Sequence, residues 1–357
     1  MCKFVVEKSL SDALGKIPNF EVYQFIAFVY SSWHLDNLLA CMKLDNLTHG
    51  LIFLMPLNRK RFPEYYFSHP LFDNCVCYQL ETQTSTFSYQ NFKRFLCCLN
   101  KKRIKVYNPM GVNIRTLSML PLHRYKVDYC VIDEGTGTYV GRSFENCENR
   151  RILLLKAEIF QFVKSIICFF FRIKVRDNVL FKKNKRFMLN QRLLGVLKEV
   201  YTEFANLPSN TDQILFNQLD KDFILFYKDY GIDDESLYRQ LFSHLSLNFH
   251  KVYIKMHPLE VNEKFCALVR EYGFEIIPPL VSGEQIASLK PFFIVGGTST
   301  AIFTSSAVFD NTVFSILDIY KKMGIQSMEL EPFEYLRQKI GVLIPNLKFV
   351  SNFFEIA

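Results

Sequence analysis

Nothing in this sequence reads as a zinc module, a secretory leader or a membrane span. None of its ten cysteines stands in a CxxC pair or a Cys/His cluster, which excludes a zinc site and leaves reduced thiols serving as small core residues. The opening stretch, MCKFVVEKSLSDALGK, has no apolar leader core, so a cytoplasmic protein is expected. One tryptophan, Trp33, stands beside 36 Phe and 18 Tyr, and this aromatic excess is expected to fill cores. No internal repeat or low-complexity tract is present, which excludes solenoids and disordered tails.

A long hydrophobic run is also lacking. Residues 152–176 come nearest, but Lys156, Glu158 and Lys164 interrupt them, and the uninterrupted run from Ser165 to Phe171 is far short of the roughly 20 apolar residues that a spanning helix needs. The stretch that follows carries Arg172, Lys174, Arg176, Lys182, Lys183, Lys185 and Arg186. Two readings stand side by side. In one, these charges dock on an anionic inner membrane surface, each contributing about 1 kcal/mol. In the other, residues 152–176 form a buried interdomain helix followed by a solvated loop.

What is present is a chain of 357 residues, 49% hydrophobic and 22% charged, long enough for two cores. Its net charge of +8 favours an anionic partner: a nucleotide, a phospholipid surface or an acidic glycan. No nucleic-acid partner is expected, because the basic residues are scattered and no RNA- or DNA-binding module accompanies them. Strand-like and helix-like runs alternate. Strands are expected at Tyr23 to Tyr30, Gly50 to Met55 and Val127 to Ile132, with a helix from Ser32 to Met42. The rhythm restarts after Leu207 to Asn210, with strands at Gln213 to Phe216, Lys251 to Lys255, Glu275 to Ile277 and Phe292 to Val295, and a helix around Asp234 to Leu247. The expected fold is α/β with two Rossmann-like halves, residues 1–195 and 196–357, facing each other across a cleft.

Three strand ends carry chemistry. The run VDYCVIDEGTG ends a buried-looking strand in Asp133-Glu134-Gly135, placing carboxylates where open α/β sheets hold their ligands. In KVYIKMHPLEV a strand feeds His257-Pro258, with Pro258 expected in the first turn of a helix, where its missing N–H costs nothing. In PFFIVGGTSTAIF a strand meets Gly296-Gly297, and Thr298, Ser299 and Thr300 open an apolar helix. Free N–H groups and hydroxyls there suit a phosphate, although plain capping would use the same residues. Together, a carboxylate base, a histidine and a phosphate cradle fit an inverting group transfer from a nucleotide donor. The spaced pair Asp220 and Asp222 lacks any supporting ligand context and is expected to be solvated surface.

The same motifs, in the same order, resemble those of bacterial sialyltransferases: an acidic-acidic-glycine motif, a His-Pro motif and a later Ser-Ser/Thr motif, here Asp133-Glu134-Gly135, His257-Pro258 and Ser299-Thr300. The run FVYSSWHLDNLLA is also similar to the first strand and helix of glycosyltransferase family 52 and the related polysialyltransferases of family 38, with Trp33 where that pattern has proline. The resemblance implies a GT-B fold, with an acceptor-binding domain at 1–195 and a CMP-binding domain at 196–357. It implies that Asp133 or Glu134 is the general base and that His257 assists departure of the CMP phosphate. Gly135, Pro258, Gly297, Thr298, Ser299 and Thr300 would then shape or bind the donor site, and Glu284 would face the donor ribose.

The implied donor is CMP-sialic acid. The implied acceptor is an oligosaccharide or glycolipid, with terminal galactose on a lipooligosaccharide or capsular glycan as the class, and no metal or other cofactor is required. Loop Asn58 to Pro63 is a candidate for acceptor choice. Open alternatives are transfer of another nucleotide sugar on the same scaffold, a CDP-polyol phosphotransferase, and a silent glycan- or membrane-binding protein.

Overall fold

The computed structural model describes residues 3–17, 19–55, 62, 64–82, 102–109, 111–113, 117, 120, 125–135, 138–139, 159, 162–163, 165–166, 168–169, 173–183, 186–205, 222–257, 260, 262–278, 281–327 and 330–356. The strand expected at Gln213 to Phe216 lies outside these residues, as do the Leu207 to Asn210 junction, Asp220, Thr136, Gly137, Pro258 and the loop from Asn58 to Pro63 apart from Phe62. The chain forms two compact units, Met1–Lys182 with Asn190–Leu207, and Lys183–Leu189 with Pro208–Ala357.

In the first unit, strands β1 (Lys3–Glu7), β2 (Phe25–Val29), β3 (Gly50–Leu54), β4 (Val76–Leu80), β5 (Lys102–Asn108), β6 (Tyr125–Ile132) and β7 (Lys174–Asn178) form one sheet in the order β1-β4-β3-β2-β5-β6-β7. Every pairing is parallel. β2 and β3 are buried at each residue, as unbroken apolar strands covered on both faces must be. Phe25 stands opposite Gly50 in register, and a Cβ on Gly50 would come within 2.2 Å of the Phe25 ring. That close approach explains a glycine at the start of a core strand.

Helix α1 (Leu10–Gly15) follows β1, and α2 (Ser32–Asp45) follows β2. The side chain of Ser31 accepts the His34 N–H, and Asn46 closes α2 in the left-handed region at φ 53°, both standard cap chemistry. α2 is buried from Trp33 to Met42, because α3 (Gln191–Ala205) packs against it. The Tyr201 O–H donates to Asp36 at 2.7 Å, and Lys43 pairs with Glu203 at 2.6 Å and Glu199 at 3.1 Å. The boundary expected at 195/196 therefore falls inside a helix, and α3 stays with the first unit.

A two-stranded ribbon, β8 (Phe181–Lys183) with β9 (Phe187–Leu189), follows β7. The second unit's sheet comprises β10 (Ile224–Tyr227), β11 (Val252–Lys255), β12 (Glu275–Ile277), β13 (Phe293–Gly296), β14 (Val313–Ser315) and β15 (Leu347–Phe349), ordered β12-β11-β10-β13-β14-β15 and parallel throughout. Around it lie α4 (Glu235–Asn248), α5 (Glu263–Glu271), α6 (Gly283–Ser288), α7 (Thr300–Phe309) and α8 (Leu317–Lys322). Phe226, Tyr238, Phe242, Phe265 and Phe274 share one core cluster, where each fully buried aromatic contributes about 1.5–3 kcal/mol. The strand order runs outward from β10 in both directions, so the topological switch point lies between the carboxyl ends of β10 and β13.

Three expectations are corrected. The described residues between 159 and 169 are helical, but Ile159, Phe162, Val163, Ile166 and Phe169 are exposed, Phe169 to 80%, so this is not a buried interdomain helix. Residues 174–178 are not a solvated loop but edge strand β7, held in register by β6 with Asp128 opposite Lys174. The helix expected to begin at Pro258 begins at Glu263, because the Asn262 side chain accepts the Phe265 N–H at 2.9 Å and caps it there. Six cysteines, Cys41, Cys75, Cys77, Cys130, Cys168 and Cys266, are free thiols, the first four buried.

Candidate active site

Strand β6 delivers the acidic pair, and its two carboxylates part company at once. Asp133 is 1% exposed. Its Oδ1 accepts the Gly135 N–H at 2.8 Å, while Oδ2 accepts the Leu180 N–H at 3.0 Å and the Tyr139 O–H. Burial pushes its carboxyl up to about 7, and the N–H groups of Leu180 and Gly135 pull the other way. The indole N–H of Trp33, buried without a partner of good hydrogen-bonding geometry, also favours the anion. Gly135 sits at φ 108°, a conformation that L side chains resist, so the third position of the motif needs glycine for the turn itself.

Glu134 faces outward and is exposed. Among the described residues none donates to its carboxylate, and the surrounding protein raises its pKa by desolvation. Its backbone is held at both ends. The N–H goes to the Thr138 hydroxyl at 2.8 Å, and the carbonyl takes a hydrogen bond from His34. His34 is buried, accepts the Tyr30 N–H at Nδ1 at 3.1 Å, and is lowered to about 3 by burial. It is therefore a neutral imidazole that ties the turn after β2 to the turn after β6.

In the second unit, His257 stands two residues beyond the end of β11; it is exposed and lies against the Tyr230 ring with centroids 5.0 Å apart. β13 runs into Gly297 and Thr298. The Thr298 N–H donates to Asp229 Oδ1 at 2.8 Å. Ser299 is the N-cap of α7, its hydroxyl accepting the Ala301 N–H at 3.3 Å, and Thr300 is half-buried at the first helical position. Ser299 is thus an ordinary helix cap here. Glu284 opens α6 with its Oε2 taking the Ser282 hydroxyl at 3.1 Å; desolvation raises its pKa, while its own N–H, Ser282, Lys255 and Thr304 lower it. Tyr227, the last residue of β10, donates its O–H to the Gly283 carbonyl at 2.7 Å, so Glu284 and the end of β10 are neighbours.

The fold gathers Asp133, Glu134 and Gly135 in one turn of the first unit, and His257, Glu284, Gly297, Thr298, Ser299 and Thr300 at the carboxyl ends of the second unit's strands. Sequence reasoning missed His34, Tyr139, Lys228 and Asp229. For Asp229 a signal exists: ILFYKD is a short apolar run ending in charge, the same form as CVIDE. Among the described residues no cluster of His, Cys, Asp or Glu could hold a metal ion.

Residues 25–318 match the family model of the alpha-2,8-polysialyltransferases. No curated protein matches the sequence. The chain is similar in structure to an alpha/beta-galactoside alpha-2,3-sialyltransferase from the luminous marine bacterium Photobacterium phosphoreum, with a TM-score of 0.51 at 12% identity over 93% of this chain and 99% of that one. Lower similarities are to a UDP-GlcNAc 2-epimerase from Methanocaldococcus jannaschii, TM-score 0.46 at 10% identity over 88% and 92% of the two chains, and to the wall teichoic acid polymerase TagF, TM-score 0.38 at 11% identity over 92% and 82%. At such identities the likeness is one of fold, and the fold is GT-B.

Proposed function

Because the chain belongs to the alpha-2,8-polysialyltransferase family, and so is a glycosyltransferase of the sialyltransferase kind, we propose that it transfers sialic acid from CMP-sialic acid to a terminal sugar of a surface glycan, with inversion and without a metal. The observation that carries this reading is the division of labour in the acidic pair. Asp133 is buried and saturated by donors, whereas Glu134 points outward. Glu134 is thereby the base and Asp133 the residue that shapes its turn.

In this reading Glu134 takes the proton of the acceptor hydroxyl as its oxygen bonds to the anomeric carbon of sialic acid. The bond from that carbon to the phosphate oxygen breaks with its electron pair on the phosphate, and CMP leaves. His257 and the N-terminal end of α7, with Thr300 and Ser299, stabilise the charge that gathers on the phosphate. Glu284 accepts from the ribose hydroxyls of cytidine. The single phosphate of this donor is a fair leaving group, so hydrogen-bond donors suffice where diphosphate donors often use a cation. The first unit, Met1–Lys182 with Asn190–Leu207, would serve the acceptor, and the second, Lys183–Leu189 with Pro208–Ala357, the nucleotide. Terminal galactose of a lipooligosaccharide or capsular glycan is one acceptor; the family's own description favours sialic acid as another, with extension into a polymer.

We also propose docking on an anionic membrane at the inner face of the bacterial cell. No helix among the described residues is long and apolar enough to cross a membrane. The exposed Ile159, Phe162, Val163, Ile166 and Phe169 recur at helical spacing, and exposed Lys174 and Arg176 follow on β7, the pairing of apolar face and positive charge that interfacial helices use.

The test is CMP release from CMP-sialic acid, with and without a lactose-type or oligosialyl acceptor, in EDTA, for wild type and His257→Ala. Acceptor-dependent release that survives EDTA and collapses in the variant supports the reading. No release with any acceptor, while UDP-sugars or CDP-glycerol are consumed, removes the donor assignment.

A further inference from the structure

Two adjacent charged residues stand at the end of the central strand of the second sheet. Lys228 and Asp229 follow β10 directly, beside the switch point, and both are 2% exposed. Each reaches to a different neighbouring strand end. Asp229 accepts the Thr298 N–H at Oδ1, 2.8 Å, and the Tyr320 O–H of α8 at Oδ2, 2.6 Å. Gly297 lies directly on this pair: a Cβ there would come within 2.1 Å of Asp229 Oδ2 and 2.2 Å of the Tyr320 ring.

Lys228 turns the opposite way. Its Nζ donates to the Asp229 and Ile232 carbonyls, to Asp233 at 3.1 Å and to Glu260, and it lies over the rings of Tyr238 and Phe265. The Glu260 N–H returns to the His257 carbonyl at 3.0 Å, and the Lys228 N–H donates to the Lys255 carbonyl at 3.0 Å. The connection bearing His257 is thus tied to Lys228, and the turn bearing Thr298 is tied to Asp229.

We propose that Lys228 and Asp229 are positioning residues for the donor phosphate: Asp229 clamps the Gly297-Thr298 turn at the head of α7, and Lys228 holds the connection that carries His257. This rests on the donor-site reading above. Neither residue needs to touch substrate. A buried carboxylate with two good donors, and a buried ammonium with four acceptors, keep one geometry because any other leaves a charge unpaired. The groups facing Asp229 are Lys228, Thr298, Tyr320 and Tyr238. Burial raises its carboxyl to about 6, and Tyr320, Thr298 and Lys228 act to keep it ionised.

The experiment uses the full chain and has two arms. Hydrogen exchange of the unliganded protein is followed in peptides covering residues 293–305 and 253–262, for wild type, Asp229→Ala, Tyr320→Phe and Glu260→Gln. Tyr320→Phe removes one hydroxyl and keeps the ring, so it retains the fold if Asp229→Ala does not. Asp229→Ala and Tyr320→Phe are expected to speed exchange in 293–305, and Glu260→Gln in 253–262, each leaving the other segment protected. Steady-state kinetics should show the KM for CMP-sialic acid raised about tenfold by Tyr320→Phe, with the acceptor KM unmoved, the size expected for one hydrogen bond to a charged group. Unchanged exchange in the cognate segments, or a fall in kcat alone with both KM values kept, overturns the proposal. A wild type that never turns over CMP-sialic acid removes the donor reading instead, and the exchange arm still decides whether the two clamps exist.

Discussion

Asp133→Asn offers the most direct check on how the acidic turn is built. The folded-state carboxyl titrates at about 7 because of burial, against an unfolded value of about 3.9. The native protein therefore holds a proton that the unfolded chain has lost throughout the interval between those values, and stability falls as pH rises through it. Between pH 5 and pH 8 the linkage relation gives a loss of about 2.5 kcal/mol from this one group. Asparagine cannot titrate, so that slope should vanish from the variant. The assay is urea unfolding followed by tryptophan fluorescence at several pH values. Trp33 is the only tryptophan of the chain and lies buried beside Asp133, so the signal reports the unit in question. The difference in unfolding free energy, variant minus wild type, should rise by about 2.5 kcal/mol from pH 5 to pH 8. A difference that stays flat over that range would refute the assignment of Asp133 as a buried, proton-holding carboxyl.

Glu134→Gln should lower kcat by about 10²–10⁴ through loss of the base, while the Trp33 fluorescence midpoint stays within about 0.5 kcal/mol of wild type, as expected of an exposed site. Since desolvation raises the Glu134 pKa, the acid limb of the wild-type kcat/KM profile should sit above the ordinary glutamate range and disappear in the variant. Gly297→Ala puts a methyl 2.1 Å from Asp229 Oδ2 and 2.2 Å from Tyr320; CMP titration calorimetry should show affinity reduced about tenfold or more, since these two buried side chains are hydrogen-bonded to each other and cannot yield cheaply. Phe162→Ser with Phe169→Ser should weaken sedimentation with phosphatidylglycerol vesicles and leave turnover of a soluble acceptor intact; unchanged sedimentation would remove the membrane proposal.

Much of this site is local, and local features are legible in a sequence. An apolar run that stops at Asp133-Glu134-Gly135 or at Gly296-Gly297 announces a buried strand and the turn after it, and β6, β13 and α7 stand where such reasoning puts them. The start of α5 moved from Pro258 to Glu263 because a proline is permissive for a first turn, whereas Asn262 makes a hydrogen bond that selects one.

Edge strand β7, KVRDN, has no apolar alternation at all; it is a strand only because β6 presents a free row of hydrogen-bonding groups. β10 was hidden for the opposite reason. Its apolar run, Phe223 to Tyr227 between Asp222 and Lys228, signals a strand but not its place, and only a parallel neighbour on each side makes it the centre of a sheet. The sequence alone therefore determined the family, the alternating α/β pattern and the candidate groups for base, histidine and phosphate site, since each depends on residues adjacent in the chain. Tertiary structure decided that Asp133 is sealed while Glu134 is open, and that Lys228 and Asp229 hold two distant turns in place. Burial and hydrogen-bond partners come from residues far apart in sequence, such as Leu180 for Asp133 and Tyr320 for Asp229, and no spacing rule encodes them.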